Sequence, residues 1–281
     1  MKRYLTYLYI ITLTLALSSS CSAKKPNELV ILHTNDTHSQ IEPIRSGRGN
    51  GLAGVDRRGE YFEKVKKENK NVLILDAGDW NQGTPYYTMF KGDMEMELMN
   101  ALGYDVVCLG NHEFDNGQED LARRLAQAKF DVVCANYDFS NTPLKDYVKP
   151  YTIIKKGKLK IGVIGVLSNI RSLVSKKSRE NLEFQNPIGV VNELAKMLKE
   201  EKKCDLVIVL SHLGYSAQNP KAASDINLAK NTLNVDIIVG GHSHTYLKSE
   251  KVYKNPNGED VIILQSGSKG EYVGRLDLKF N

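Results

Sequence analysis

Short runs of continuous apolar residues recur from about Glu28 onward, at 29–34 (LVILHT), 72–76 (VLILD), 106–109 (VVCL), 132–135 (VVCA), 159–167 (LKIGVIGVL), 206–210 (LVIVL) and 236–240 (DIIVG). A strand that is apolar at nearly every position is one buried on both faces. Between these runs apolar residues return at helical spacing over 52–68, 93–102, 117–128 and 188–201, as in Met94, Leu98, Met99 and Leu102. Strand and helix in alternation predict an α/β layered fold. Two later strand-like runs, 260–266 and 272–279, flank Gly267-Ser268-Lys269-Gly270 and predict a closing hairpin. Segments 137–150 and 169–186 lack either period and are expected to form surface loops near a site. No internal repeat or low-complexity tract follows residue 28, so one domain is expected over 29–281.

The amino-terminal pattern is different. Lys2 and Arg3 precede an apolar run from Tyr4 to Leu17, then Ser18-Ser19-Ser20-Cys21. A basic start, a short apolar run and small residues are the marks of a signal peptide. The run is shorter than the roughly 20 residues that span a bilayer. A cysteine directly after small residues resembles a bacterial lipobox, apart from Ser18 where an aliphatic residue is more usual. The expectation is a signal peptide over 1–21, Cys21 as a lipidated first residue, a short linker over 22–28, and attachment to the bacterial cell envelope on the periplasmic or outer-membrane side; the alternative is cleavage near Ala23 with Cys21 discarded.

Composition changes this picture little. With 41% hydrophobic and 25% charged residues the chain is ordinary globular material. Its net charge of +5 comes from 38 basic residues interspersed with 33 acidic ones. Such a balance steers anionic substrates weakly and gives no face for a nucleic-acid polymer. The remaining cysteines, Cys108, Cys134 and Cys204, lie in or beside apolar runs without CxxC spacing, which predicts buried free thiols.

Polar residues interrupt the pattern at the carboxyl ends of the predicted strands, where open α/β sheets place ligands. In order they are Asp36-Thr37-His38, Gly78-Asp79, Gly110-Asn111-His112-Glu113, Ser211-His212 and Gly241-His242-Ser243-His244. Five of the six histidines fall in these clusters; His33, inside the first strand, is expected to be a packed structural residue. In extended backbone residues i and i+2 point the same way, so Asp36 with His38, and His242 with His244, are expected to converge. Carboxylate, imidazole and carboxamide donors without thiolate suit zinc, manganese, iron or cobalt.

The motifs D-x-H, GD, GNHE, a lone His after a strand and GHSH, in this order, resemble those of the calcineurin-like metallophosphoesterases. The strings HTNDTH, NQGTPYY, GNHEFDNG and GGHSHT are similar, more narrowly, to the 5'-nucleotidase and UDP-sugar hydrolase branch. The resemblance covers about residues 29–280 and implies a four-layer α/β/β/α sandwich holding two divalent metal ions between two sheets. Residue by residue it implies one metal on Asp36, His38, Asp79 and His244 and a second on Asp79, Asn111, His212 and His242, with Asp79 bridging. His244 stands where some bacterial members have Gln. It further implies that His112 and Asp115 form a catalytic dyad, the imidazole assisting the leaving oxygen and the carboxylate orienting it. Glu113 and Asn116 are expected instead to hydrogen-bond behind the ligands or to cap the helix near Gly117.

A phosphate monoester dianion repels nucleophiles, and two cations about 3.5–4 Å apart answer this by clamping the phosphoryl oxygens and lowering the pKa of a bound water. The expected reaction is in-line attack of metal-bound hydroxide on phosphorus, most of all in 5'-nucleotides, without a phosphoenzyme. The alternatives are a phosphodiesterase or pyrophosphatase acting on 2',3'-cyclic nucleotides or nucleotide sugars, and a low-activity metal-binding lipoprotein. The resemblance also implies a second, nucleobase-binding domain, which the sequence ending at Asn281 does not contain. The corresponding expectation is the catalytic half of a split nucleotidase with a separate nucleotide-binding subunit, and no base-binding residues are assigned. Tyr86, Tyr87 and Tyr215 are expected to serve ordinary packing or to lie on the surface, the alternative being a contribution to base recognition.

Overall fold

The computed structural model describes residues 27–217 and 222–280. Cys21 and the first segments lie outside the described residues. The strands are β1 (Asn27–Thr34), β2 (Val72–Asp76), β3 (Val106–Cys108), β4 (Asp131–Val133), β5 (Val148–Lys149), β6 (Tyr151–Lys156), β7 (Leu159–Leu167), β8 (Leu206–His212), β9 (Ile237–Gly240), β10 (Lys251–Lys254), β11 (Asp260–Leu264) and β12 (Gly274–Phe280). The helices are α1 (Val55–Glu68), α2 (Pro85–Phe90), α3 (Asp93–Leu102), α4 (Gln118–Leu125), α5 (Pro187–Glu200) and α6 (Asp225–Asn231). They build two six-stranded mixed sheets, in the orders β12-β1-β2-β3-β4-β5 and β10-β11-β9-β8-β7-β6. β1 through β5 run parallel with antiparallel β12 at the edge, and β7, β8, β9 and β11 run parallel between antiparallel β6 and β10.

Continuous apolarity is explained by the layers. Because side chains alternate along a strand, Leu29 and Ile31 of β1 join Ile161, Val163, Ile208 and Leu210 between the sheets. Val30 and Leu32 face the other way, against Phe62 and Val65 of α1 and Met96 and Met99 of α3. On the far side of the second sheet, Ile164, Val166 and Val207 pack on Val191, Ala195 and Leu198 of α5 and Leu228 of α6. The arrangement is the α/β/β/α sandwich. Pro187 starts α5 behind Asn186, whose side chain accepts from the Ile188 amide. Cys108, Cys134 and Cys204 are buried free thiols, and no described helix is long and apolar enough to cross a membrane.

The predicted closing hairpin does not form. β11 pairs with β9 and β10 in the second sheet, whereas β12 pairs with β1 in the first. The segment between them crosses from one sheet to the other, tied on the way by hydrogen bonds from Ser266 N to Asn35 Oδ1 (2.8 Å) and from Lys269 N to Asp36 O (2.6 Å). An apolar run with a glycine turn reports strand and turn but not the partner, and here two half-finished sheet edges capture the two strands separately.

Candidate active site

All the parallel strands of both sheets end at one pole, and the loops that follow them bring the predicted residues together. Asp36 and His38 follow β1, Asp79 follows β2, Asn111 and His112 follow β3, His212 is the last residue of β8, and His242 and His244 follow β9. A cleft of about 410 Å³ is lined by His38, Asp79, Gln82, Asn111, His112, Leu173, His242, His244 and Lys269, among others. Asp36 and His212 lie beneath it, fully buried. A larger depression of about 590 Å³ between α1 and α3 contains none of these residues.

The donor atoms of Asp36, His38 and His244 lie within 4.8 Å of one another, as do those of Asp79, His212 and His242. His38, Asp79 and His112 form a third such group. His38 Nε2 is 3.0 Å from His244 Nε2, and His244 Nε2 is 3.3 Å from Asp36 Oδ1. His212 Nε2 is 3.0 Å from Asp79 Oδ2. Convergence does not come from pleated backbone as the i, i+2 spacing predicts. Asp36, His38, Asp79, His242 and His244 all have left-handed φ, between 46° and 72°. Five non-glycine residues in that region are strained unless their surroundings fix them. These tight turns lie in the loops after β1, β2 and β9 and bring the three to one point.

Glycines make the close approach. At Gly78 (φ +89°) an added Cβ would lie 2.6 Å from Gly110 N, and at Gly110 it would run into the Asp79 carboxylate. Glu113 ties the same two loops: its Oε2 accepts from Asp79 N at 2.9 Å and Gly110 N at 2.6 Å, and its Oε1 accepts from Asn81 N at 3.2 Å. Burial pushes the Glu113 carboxyl up to about 8. Asn116 instead reaches the Lys91 carbonyl at 3.3 Å, and Gly117 holds the N-cap position of α4.

Orientation of the imidazoles decides what could bind. His212 Nδ1 lies 2.7 Å from the Ala77 carbonyl and His38 Nδ1 lies 3.2 Å from that of Asn81. A carbonyl only accepts, so each Nδ1 is the donor, and the neutral ring turns an Nε2 lone pair into the cluster. Burial works against charge at His212, yet the Asp79 carboxylate beside it raises it to about 10, and Asp79 is held well below the usual carboxylate range. The buried carboxylates demand positive charge, and histidine protons are what this end of the chain offers them. Asn111 Oδ1 is also buried without a hydrogen-bond partner. Once those protons are displaced, two facing Nε2 lone pairs, two buried carboxylates and an orphaned amide oxygen fit divalent cations.

His112 lies at the rim. Its Nδ1 is 2.8 Å from Asp115 Oδ2, and this hydrogen bond raises its pKa above the ordinary histidine value despite partial burial. Its backbone N donates to Asp79 Oδ1 at 2.9 Å.

Residues that the motifs do not name hold the loops. Gln265, just past β11, accepts on Oε1 from Ser243 Oγ (3.0 Å) and Thr245 N (2.5 Å), and its Nε2 donates to Gly241 O (3.2 Å). It clamps the His242–His244 loop from both sides. Asn35 donates to Asp36 Oδ2 (2.6 Å) and Gly267 O (2.7 Å). Gln265 was findable by the signal that marks the others, a polar residue at the carboxyl end of a buried strand; Asn35 is hidden inside HTNDTH.

The model of the calcineurin-like phosphoesterases matches residues 29–246. The chain belongs to this phosphoesterase family. It is 33% identical over 290 residues to a 5'-nucleotidase of Diplobatis ommata, covering 96% of this chain and 49% of that protein. Among solved structures it is similar to a 5'-nucleotidase precursor from Thermus thermophilus, with TM-score 0.83, 36% identity, and 91% and 52% of the two chains covered. It is also similar to the NAD nucleotidase of Haemophilus influenzae, with TM-score 0.79, 32% identity, and 92% and 48% covered. The phosphoesterase chain thus spans about half the length of each of these relatives.

Proposed function

We propose that this phosphoesterase is a two-metal hydrolase of phosphate monoesters, 5'-nucleotides foremost. The observation that supports this most is the meeting of loops from both sheets in one cleft, with His38 and His212 turned lone pair inward toward the buried Asp36 and Asp79. In this reading Asp36, His38, Asp79 and His244 would hold one ion, and Asp79, Asn111, His212 and His242 the other. Two such cations, whether zinc, manganese, iron or cobalt, supply charge neutralisation and a water of lowered pKa. The protein's part is to fix the donors, through Glu113, Asn35 and Gln265, so that no reorganisation is needed during reaction. Asp115 fixes the His112 tautomer, and its hydrogen bond favours the imidazolium, which keeps a proton on Nε2 for the departing ester oxygen.

The test is turnover by the purified protein, with manganese or zinc, of a 5'-nucleotide panel against bis-(p-nitrophenyl) phosphate. Monoester preference is expected. Preference for the diester would turn the reading to a phosphodiesterase, and hydrolysis of neither would leave a binding lipoprotein. The proposal includes one catalytic domain over residues 29–281, export behind residues 1–21 and lipid attachment at Cys21 in a bacterial envelope, all resting on sequence. Cys21→Ala should move the protein from the membrane to the soluble fraction, since acyl chains are the anchor; a variant that still sediments would remove Cys21 from that role.

A further inference from the structure

We infer that the turn Gly267–Tyr272, together with Tyr246, is a substrate-recognition wall on the catalytic domain itself, in which Lys269 takes the anionic phosphoryl group and the Tyr246–Tyr272 pair stacks the planar base. The inference rests on the nucleotide reading above and gives it a specificity element.

Lys269 lines the cleft beside His112 and His244. Its backbone is left-handed (φ +56°), and its N donates to Asp36 O at 2.6 Å, so a strained position is pinned to a residue of the site floor. Strain of this kind persists where the surroundings over-determine it, and such positions cluster at ligand clamps. The nearby acid, Glu271, turns toward Gly49, and among the described residues no carboxylate pairs with the Lys269 ammonium. An unpaired cation at the wall of a cleft floored by carboxylates is placed for an anion that enters from solvent.

The two tyrosines meet across this turn and the segment paired with it. Segment 245–247 pairs with 265–267 through Gly267 N to Thr245 O (3.1 Å) and Leu247 N to Gln265 O (3.1 Å). That pairing sets Tyr246, two residues past His244, against Tyr272, with ring centroids 4.2 Å apart and planes 25° from parallel. A Cβ added to Gly267 would sit 3.7 Å from Tyr246 Cβ and 3.9 Å from Cδ2 of both rings. Gly267 O in turn accepts from Asn35, which also donates to Asp36. One glycine and one asparagine therefore link the stack to the site floor. The rings are 50% and 38% exposed, whereas Tyr87 is buried and Tyr86 and Tyr215 are half-buried with hydroxyls that bond Glu42 and Tyr253. An exposed aromatic pair beside a phosphate site is a platform for a π-face, and such stacking is sequence-tolerant.

The test compares kcat and KM of the metal-loaded protein for AMP and for ribose 5-phosphate, which lacks the base, and adenosine binding by NMR to the chelated protein. Wild type should show a KM for AMP roughly tenfold below that for ribose 5-phosphate, in the range base stacking supplies. Y272A should erase that preference and the adenosine binding while leaving the ribose 5-phosphate constants alone, which also reports an intact fold. K269M should raise KM for both substrates roughly tenfold at nearly constant kcat, and K269R should restore it. Equal wild-type KM values, or Y272A changing both substrates alike, would overturn the stack; an unchanged KM in K269M would overturn the lysine. Should wild type hydrolyse ribose 5-phosphate but not AMP, the nucleotide reading and the stack fall together and Lys269 is judged on ribose 5-phosphate. Should it hydrolyse neither, the proposed function fails by itself, and absent adenosine binding overturns the stack separately.

Discussion

His112 and Asp115 share one short turn, with Nδ1 and Oδ2 2.8 Å apart and about a third of each side chain exposed. A dyad so placed can exchange protons with substrate without disturbing the buried donors. His112→Ala should therefore keep its metals and lose turnover by roughly a hundredfold or more, as for a positioned acid; elemental analysis with kinetics checks both, and normal turnover would take the dyad out of the mechanism. The family motifs named these residues; the spacing placed Asp36 beside His38, but His242 and His244, expected to converge, fall in different donor groups. Their left-handed φ was not legible, because no residue but glycine announces that region. His33 follows the opposite logic. It is buried in β1 opposite Gly274, with Nδ1 unpaired, and burial lowers its pKa from 6.5 to about 4. Its folded pKa lies below its unfolded one, so the unfolded state binds the extra proton between those values and stability falls as pH drops from about 6.5 to 4. Relative to His33→Leu, the wild type should lose about 3 kcal/mol between pH 7 and pH 4. Denaturant unfolding at the two pH values, in chelator, measures it, and parallel losses in both proteins would show that His33 does not titrate this way.

At the scale of elements, strands buried on both faces announced themselves: β2, β3, β7 and β9 fall within the apolar runs, and β8 starts with one and runs two residues past it. Those missed are short or at edges. β6 reads YTIIKK and β10 reads KVYK, with lysines on an exposed edge, and α2 is a six-residue turn of helix started by Pro85. The absent hairpin and the role of Gln265 share a cause, since both depend on which sheet receives β11. Once β11 lies parallel beside β9, the residue after it must stand against the loop after β9. Gln265 is the link between these elements, and its three contacts with Gly241, Ser243 and Thr245 fix the loop. Gln265→Leu keeps the volume and removes the clamp. Its metal affinity, read by chelator competition, should fall roughly tenfold or more with the fold intact by circular dichroism, as for other groups that orient ligands; undiminished affinity would make Gln265 a packing residue only.

The molecule as a whole is two sheets meeting along one apolar layer, with the proposed donors divided between them: Asp36, Asp79 and Asn111 follow strands of the first, and His212, His242 and His244 belong to the second. Nothing in a local sequence pattern states that division; it comes from which loops the crossing segments bring to the shared pole. Ions held from both sides would stitch the sheets together where Asp36 and Asp79 otherwise face each other's charge with only histidine protons between. Binding to the folded chain alone stabilises it by RT ln(1 + [L]/Kd), about 2.7 kcal/mol at a hundredfold excess over Kd. For a chain of this size that is roughly 5–10 °C in Tm. Removing metal from wild type with a chelator should lower Tm by that amount, and restoring manganese or zinc should recover it. Asp79→Asn supplies the control, because Asp79 is the donor that both proposed sites share: it should carry well below two ions per chain by elemental analysis, and its Tm should barely respond to chelator. If Asp79→Asn retained both ions and the wild-type Tm response, Asp79 would not bridge, and the sheets would be joined by their apolar layer alone.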